Sequence, residues 1–190
     1  MSTETPPDLS ADDKAELLRL AREALELYLR EESFPVADSP SSAMAQPRAT
    51  FVTLRDRATQ DLRGCRGETV ARQPLVESVM HMAVASATDD PRFPPVAADE
   101  VADLHIEISA LTPMTPITPD EIEVGRHGLL IRKAGRSGLL LPQVPLPYGW
   151  NREQFLAALC QKAGLPDNAW RFADAELYGF ECEVWEEDSP

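Results

Sequence analysis

The chain has 190 residues, a formal net charge of −14 and a hydrophobic content of 43%. This length and apolar content are typical of one globular domain, or of one domain with a small lobe, and they exclude a disordered chain. The acidic balance argues against a nucleic-acid-binding protein, which needs a basic face, and against docking on an anionic membrane.

The N-terminal elements begin with residues 1–9, which are polar and acidic, and which we expect to be a disordered lead-in. They lack the apolar core of a signal peptide. A helix is predicted over residues 11–31, because Ser10 and Asp13 have capping-box spacing and apolar residues recur three and four positions apart. The Pro- and Ser-rich stretch 33–48 is predicted to be a long loop.

Strands and a second helix follow. An alternating strand at 49–55 and the glycine-flanked segment 62–67 favour a β-hairpin. Pro74 suits the first position of a helix. Residues 104–111 alternate strictly, with apolar side chains on one face of the strand. The opposite face, which we expect to be solvated, carries His105, Glu107 and Ser109.

The C-terminal half predicts another hairpin, formed by residues 129–132 and 139–141, with a Gly-containing turn between them. Asn151 and Gln154 have the capping-box spacing of a third helix. A single last strand is predicted over residues 176–185.

The order of these elements shows no regular βαβ repeat, so it favours an α+β fold with a mixed, largely antiparallel sheet and flanking helices. The expected organisation is a lead-in at 1–9, a single domain over 10–186 and an acidic tail at 187–190. None of the three cysteines has CxxC spacing, so a disulfide framework is not expected. We therefore expect a cytoplasmic protein.

Cys65 is the main candidate for chemistry. Residues 55–72 around it carry five arginines against three carboxylates, a positive island in an acidic chain. Nearby arginines favour the reactive thiolate, and flanking glycines allow the backbone to approach a ligand closely. The alternative is a buried structural cysteine, the role that we expect for Cys160 and Cys182. The candidate ligand-binding residues are Arg63, Gly64, Arg66, Gly67 and Arg92.

Possible catalytic partners lie elsewhere in the chain. His127, between Gly125 and Gly128, is a candidate general base for Cys65, and Glu107 is a second candidate for proton transfer. A weaker hypothesis is a metal site. Its ligands would be His105, Glu107, His127 and Cys65.

Several ordered blocks resemble AMMECR-type domains. The segment Leu62–Gly67, with the sequence LRGCRG, looks like the signature of that family, although Arg66 stands where the family usually has a small apolar residue. The other matching blocks are residues 51–54, 90–95, 106–111, 125–129, 141–144 and 160–165, followed by Trp170.

The resemblance implies an α+β fold of two unequal lobes, with a cleft beside the signature segment. It also implies an association, because bacterial and archaeal members resemble protein A of the AmmeMemoRadiSam system, which includes a Memo-like protein and a radical S-adenosylmethionine protein. Two hypotheses follow: a non-catalytic component that binds these partners through residues 62–67, or a Cys65-dependent enzyme acting on a small anionic substrate. The cofactor and the reaction stay open.

Overall fold

The structure is a computed structural model that describes residues 7–188. It contains three α-helices and eight strands, and it therefore confirms the α+β class. In chain order the elements are α1 (Ala11–Glu31), β1 (Thr50–Asp56), β2 (Leu62–Gly67), α2 (Leu75–Thr88), β3 (Leu104–Leu111), β4 (Thr115–Pro116), β5 (Gly128–Lys133), β6 (Arg136–Leu140), α3 (Arg152–Lys162), β7 (Glu176–Phe180) and β8 (Cys182–Glu186).

These elements belong to two compact units. Among the described residues, the first unit contains residues 7–110 and 183–188, and the second unit contains residues 111–182. The first unit holds α1, α2 and a four-stranded sheet in the order β2-β1-β3-β8. The second unit holds α3 and a sheet in the order β4-β7-β5-β6. Within residues 7–188, no helix combines the length and the apolar character needed to cross a membrane.

Local sequence signals account for both capped helices. Ser10 caps α1, and the Ser10 hydroxyl and the Asp13 carboxylate exchange hydrogen bonds with the backbone as a complete capping box. Asn151 and Gln154 do the same for α3. These bonds satisfy amide groups that the first turn of a helix leaves unpaired. The predicted bounds of α1 are confirmed, and α2 begins one residue after Pro74.

The first unit buries one face of its sheet against its helices. Apolar residues of β1 and β3 point to this face, among them Val52, Leu54, Ile106 and Ile108, which are fully buried. The opposite face of β3 was expected to be solvated, and this prediction is wrong. His105 and Ser109 lie on it and are each only 1% exposed. This face of β3 is therefore buried at His105 and Ser109, whereas Glu107 between them is half-buried.

The second unit has its own core. Strand β5 supplies Leu129 and Ile131, and α3 supplies Phe155 and Leu159, all of them fully buried. Cys160 is also buried in this core, as predicted. Cys182, which was predicted to be a core residue, is only half-buried.

The predicted single strand at 176–185 is two strands that belong to different sheets. Strand β7 pairs with β4 and β5 in the second unit, and β8 joins the sheet of the first unit. Glu181 separates the two strands. The backbone N–H of Glu181 donates to the Thr112 hydroxyl, and its carbonyl accepts from the Thr112 N–H. These bonds, 69 positions apart in sequence, explain why alternation within 176–185 could not reveal the break.

The chain ends were predicted to be a disordered lead-in at 1–9 and an acidic tail at 187–190. Residues 1–6 and 189–190 lie outside the described residues. Leu9 is buried in the first core. Glu187 is also held: its carboxylate pairs with Arg22 and Arg57, and it accepts a hydrogen bond from the N–H of Ile106. Glu187 is therefore a structural residue and not part of a solvated tail.

Candidate functional site

Cys65 lies in a row of polar side chains across the first sheet. Thr53 of β1 is directly opposite Cys65 of β2 on one side and Glu107 of β3 on the other. Residues that are directly opposite in antiparallel strands point to the same face, so the three side chains are neighbours. We call these three residues the Cys65 row. It lies on the face opposite α1 and α2 and includes two predicted site residues, Cys65 and Glu107.

The Cys65 thiol is half-buried, and the Thr53 hydroxyl donates to its sulfur over 3.4 Å. Burial raises the pKa of Cys65, and the charges of Asp90 and Glu107 act in the same direction. The Thr53 hydrogen bond and the Arg92 guanidinium oppose this shift without reversing it. The thiol is therefore protonated at neutral pH, whereas the arginine-rich sequence had favoured a thiolate.

Asp90 supports the backbone of Cys65, and sequence reasoning missed this role. Its carboxylate is buried and accepts the N–H of Cys65 over 2.9 Å. It also accepts two hydrogen bonds from the Arg92 guanidinium, at 2.9 and 2.6 Å. The Arg92 guanidinium holds the pKa of Asp90 far below its usual range. Asp90 is therefore an ionised anchor that joins β2 to the turn after α2.

The three candidate arginines have different environments. The guanidinium of Arg63 is already bonded to residues that follow Asp90 in the chain. It pairs with Glu100 at 3.1 Å and donates to the Pro94 carbonyl. Arg92 is paired with Asp90. Arg66 is exposed, and within residues 7–188 its side chain has no ion pair. Of the three guanidinium groups in this part of the structure, that of Arg66 is free to meet a partner. Arg66 is directly opposite Val52, so its side chain leaves the sheet on the face of α2, whereas Cys65 points to the other face.

The two candidate glycines are explained by packing. A β-carbon at Gly64 would lie 2.1 Å from the carbonyl oxygen of Ser86, so only glycine allows α2 to approach β2 here. A β-carbon at Gly67 would lie 2.2 Å from the ring of Phe51, which covers the glycine from the neighbouring strand. The Ser86 hydroxyl also accepts the N–H of Arg66 and donates to the Val52 carbonyl. The signature segment is thus fitted closely to α2.

His127 belongs to the second unit, whereas Cys65 belongs to the first. His127 is half-buried, and its Nδ1 accepts the backbone N–H of Glu123 over 3.1 Å. This bond orients the ring within its own loop. A role of His127 as general base for Cys65 stays a prediction.

Two buried polar groups flank Glu107 on β3. The hydroxyl of Ser109 and the Nδ1 of His105 are buried and have no hydrogen-bond partner among the described residues 7–188. His105 Nε2 lies 3.1 Å from the Glu186 carboxylate, which leaves Nδ1 as the unpaired acceptor when the ring is neutral. Unpaired buried polar groups are uncommon in folded proteins, and they mark this face as a place for a polar ligand or for water. Among residues 7–188, no group of three or more His, Cys, Asp or Glu side chains is arranged to hold a metal ion.

Comparisons with known proteins agree with this fold. The sequence model of the AMMECR1 family matches residues 18–185. Protein MK0488 of Methanopyrus kandleri is 42% identical, with 96% of this chain and 92% of that protein covered. Protein TK0174 of Thermococcus kodakarensis is 44% identical, with 92% and 90% covered.

The structural comparison gives the same answer. The crystal structure of the uncharacterised protein PH0010 from Pyrococcus horikoshii superposes with a TM-score of 0.91 and 41% sequence identity, covering 96% of this chain and 95% of that one. The family match spans both units. The chain therefore belongs to the AMMECR1 family.

Proposed function

We propose that this protein is a binding component that acts with a Memo-like protein and a radical S-adenosylmethionine protein, and that the segment Leu62–Gly67 with the Cys65 row forms its working surface. The observation that carries this proposal is the polar face beside Cys65. There the Cys65 row lies next to the unpaired buried atoms of His105 and Ser109. The identity of the partners rests on the family resemblance alone.

The chemistry of this surface suits binding more than covalent catalysis. A protonated thiol and the Thr53 hydroxyl are neutral groups, and Glu107 adds a carboxylate to the same row. The exposed Arg66 lies in the same strand as Cys65 but on the other face of this sheet edge. A neutral thiol is a weak nucleophile, but it packs well and acts as a weak hydrogen-bond donor. This arrangement supports recognition of a hydrogen-bonding polar group on a partner.

The test is binding to the purified Memo-like and radical S-adenosylmethionine proteins encoded by the same genome. We expect the wild-type protein to bind at least one of them and Arg66→Ala to weaken binding by about tenfold, the loss typical of a charged interface residue. Arg72→Ala is the matched control, because Arg72 is also exposed in the first unit but lies beyond the signature segment. Arg63 is unsuitable as a probe, since its loss disrupts the Glu100 pair.

Absence of binding by the wild-type protein, or equal effects of Arg66→Ala and Arg72→Ala, would contradict the proposal. Each variant is first compared with the wild type by chemical denaturation, so that a folding defect is not read as a binding defect.

A second candidate is a Cys65-dependent enzyme that acts on a small anionic substrate. Arg92 favours it, because its positive charge lowers the pKa of Cys65, and Thr53 donates to the sulfur. Arg92, whose charge acts on the sulfur, would hold the anion, and Glu107 of the same row would transfer the proton. This candidate requires a Cys65 thiolate near neutral pH, so the pH dependence of Cys65 alkylation separates it from the binding proposal.

A further inference from the structure

The loop over residues 141–150, between β6 and α3, presents two large apolar side chains to solvent. Leu146 is 56% exposed and Tyr148 is 68% exposed. Both lie in the second unit, away in sequence from the signature segment. Single exposed apolar residues are ordinary on protein surfaces, so the way in which these two are held decides whether they have a role.

The backbone of this loop is fixed by successive turns. The N–H groups of Val144, Leu146, Gly149 and Trp150 donate to carbonyls three to five residues earlier, at 3.1 to 3.2 Å. Three prolines restrict the backbone further, because each fixes its own φ. They are Pro142, Pro145 and Pro147. Gly149 has a φ of +60°, a left-handed conformation that favours glycine. The loop is therefore preorganised.

The two exposed side chains are supported from below. The ring of Tyr148 stacks on Trp150 with centroids 4.8 Å apart, and Trp150 packs against the second core. Leu146 lies against Gly125, where an added β-carbon would be 3.0 Å from a Leu146 methyl group. Leu146 and Tyr148 are thus held in place while much of each stays exposed. Rigid aromatic and aliphatic anchors bind with a small entropic cost, which is the property of interface hot spots.

The charges around this loop indicate which charges a complementary partner carries. The adjoining segments 119–126 and 151–154 carry four carboxylates and two arginines. Arg126 is already paired with Glu123 and Glu181, Arg152 with Asp120, and Glu153 with Arg171. With Glu181 and Arg171 included, five carboxylates stand against three arginines. The rim therefore has a negative balance. A complementary partner places an apolar pocket over Leu146 and Tyr148 and borders it with lysines or arginines.

We infer that the 141–150 loop is a docking surface for a partner protein with an apolar pocket bordered by basic residues. Leu146 and Tyr148 are its anchors. This surface belongs to the second unit and is separate in sequence from the Cys65 row, so its use does not depend on the proposed function of Cys65.

The experiment starts with a photo-crosslinking amino acid placed at Tyr148 of the full chain in the native host, with the same residue at Phe172 as the control. Phe172 is 53% exposed in the same unit. Capture of a protein is not by itself taken as support for the inference. The captured protein is purified, and its Kd is measured by calorimetry against the wild type and the variants Leu146→Ser, Tyr148→Ser, Phe172→Ser, Gly149→Ala and Arg72→Ala.

We expect Leu146→Ser and Tyr148→Ser each to raise the Kd at least ~tenfold, and Phe172→Ser to change it less than about twofold. Gly149→Ala keeps both anchors and has open space around its new methyl group, so it tests the backbone conformation alone; we expect a Kd about threefold to tenfold higher. Raising the ionic strength from about 50 to about 500 mM should weaken binding, because both rims carry charge.

Arg72→Ala, an exposed change in the first unit that lies outside the segment Leu62–Gly67 and the Cys65 row, should bind as the wild type does. The inference is overturned if the Tyr148 position captures no more than the Phe172 position, or if Leu146→Ser and Tyr148→Ser bind like Phe172→Ser. It is also overturned if the captured protein is a second copy of this chain, or if salt leaves the Kd unchanged.

Discussion

Cys65 has two neighbours that affect it in different ways. Thr53 bonds to its sulfur, whereas Asp90 bonds to its backbone N–H. Only the first contact touches the atom that would react. Asp90 and Arg92 instead fix where the strand lies, and their charges act on the sulfur with opposite signs. The reactivity of the thiol and the position of its strand can therefore be tested separately.

The first prediction concerns alkylation of Cys65 by iodoacetamide, in which the sulfur displaces iodide. Burial raises the pKa of Cys65. We therefore expect the alkylation rate to reach half of its maximum at a pH above about 8.5, the pKa of a free thiol. Arg92→Gln should raise the pKa further, since it removes a positive charge and leaves Asp90 uncompensated. Mass spectrometry of the peptide containing Cys65 at each pH gives the rate.

The unfolded protein is the control for this measurement, because its cysteines have ordinary pKa values. A midpoint well below that of the unfolded chain would contradict the prediction and favour the enzyme candidate.

The second prediction concerns Asp90→Asn. The change removes the ion pair with Arg92 and leaves a buried site with poorer hydrogen bonding, so we expect a loss of about 2–3 kcal/mol in the free energy of unfolding at pH 7. A carboxyl group whose folded pKa is lowered stabilises the fold above its unfolded pKa and loses that contribution as the pH falls. The difference in the free energy of unfolding between Asp90→Asn and the wild type should therefore become smaller below about pH 4.

Urea denaturation at several pH values measures this difference. Asp89→Asn is the control, because Asp89 is the exposed neighbour of Asp90. A difference that stays constant from pH 7 to pH 3 would show that the charge of Asp90 does not stabilise the fold.

Asp90 also shows what the sequence could not reveal at this scale. The glycine-flanked Cys65 and the arginines around it were visible in the sequence, and so were the block 90–95 and Arg92. The bond between Asp90 and Cys65 joins residues 25 positions apart, and no local pattern specifies such a contact. The partners of Arg63 and Arg92 likewise decide that these side chains are structural pairs, which a count of charges cannot show.

At the level of elements, the contact between α2 and β2 fixes the shape of the signature segment. The carbonyl of Ser86 occupies the place of a Gly64 side chain, and the Ser86 hydroxyl stands between the N–H of Arg66 and the carbonyl of Val52. The helix therefore supplies part of the hydrogen bonding of the strand pair. The signature glycines were expected to serve a ligand, and Gly64 serves this contact.

The third prediction follows from that contact. Gly64→Ala must displace α2 or β2, because its methyl group would lie 2.1 Å from a backbone oxygen. We expect the free energy of unfolding to fall by about 1–3 kcal/mol. The control is Gly135→Ala, which adds a methyl group in open space at a φ of +74° and should cost about 1 kcal/mol through backbone strain. Equal losses would contradict the predicted clash; chemical denaturation measures both.

Elements governed by neighbouring residues could be predicted from the sequence, and those governed by distant contacts could not. The capping boxes of α1 and α3 involve residues three positions apart, and both helix starts were predicted. The hairpin of β1 and β2 was also predicted. The break at Glu181 depends on Thr112, and the burial of His105 depends on packing over both faces of β3.

At the level of the whole molecule, the C-terminal residues are part of the first unit. Glu187 bonds to Arg22, Arg57 and the backbone of Ile106, and the Trp185 indole donates to the Lys14 carbonyl. These contacts join α1, β3 and the end of the chain. Glu187, which looked like part of a tail in the sequence, therefore ties α1 to β3 in this unit.

The fourth prediction is that Glu187→Gln lowers the stability of the first unit by about 1–3 kcal/mol, because it leaves two partly buried arginines without their carboxylate. Asp188→Asn, at the exposed next position, should have no measurable effect. Denaturation monitored by hydrogen exchange of β3 amides gives the local free energy. Equal protection in the two variants would show that the Glu187 pairs contribute nothing.

The return of the chain to the first sheet through β8 also has a consequence for biosynthesis. A ribosome releases residues 1–110 first, then all of 111–182, and only then the strand that completes the sheet order β2-β1-β3-β8. The second unit is continuous in sequence and can pack as soon as it emerges. Until β8 is synthesised, the edge of β3 in the first unit stays unpaired. An unpaired strand edge invites aggregation, so a nascent chain stalled before β8 is the species on which a chaperone should act.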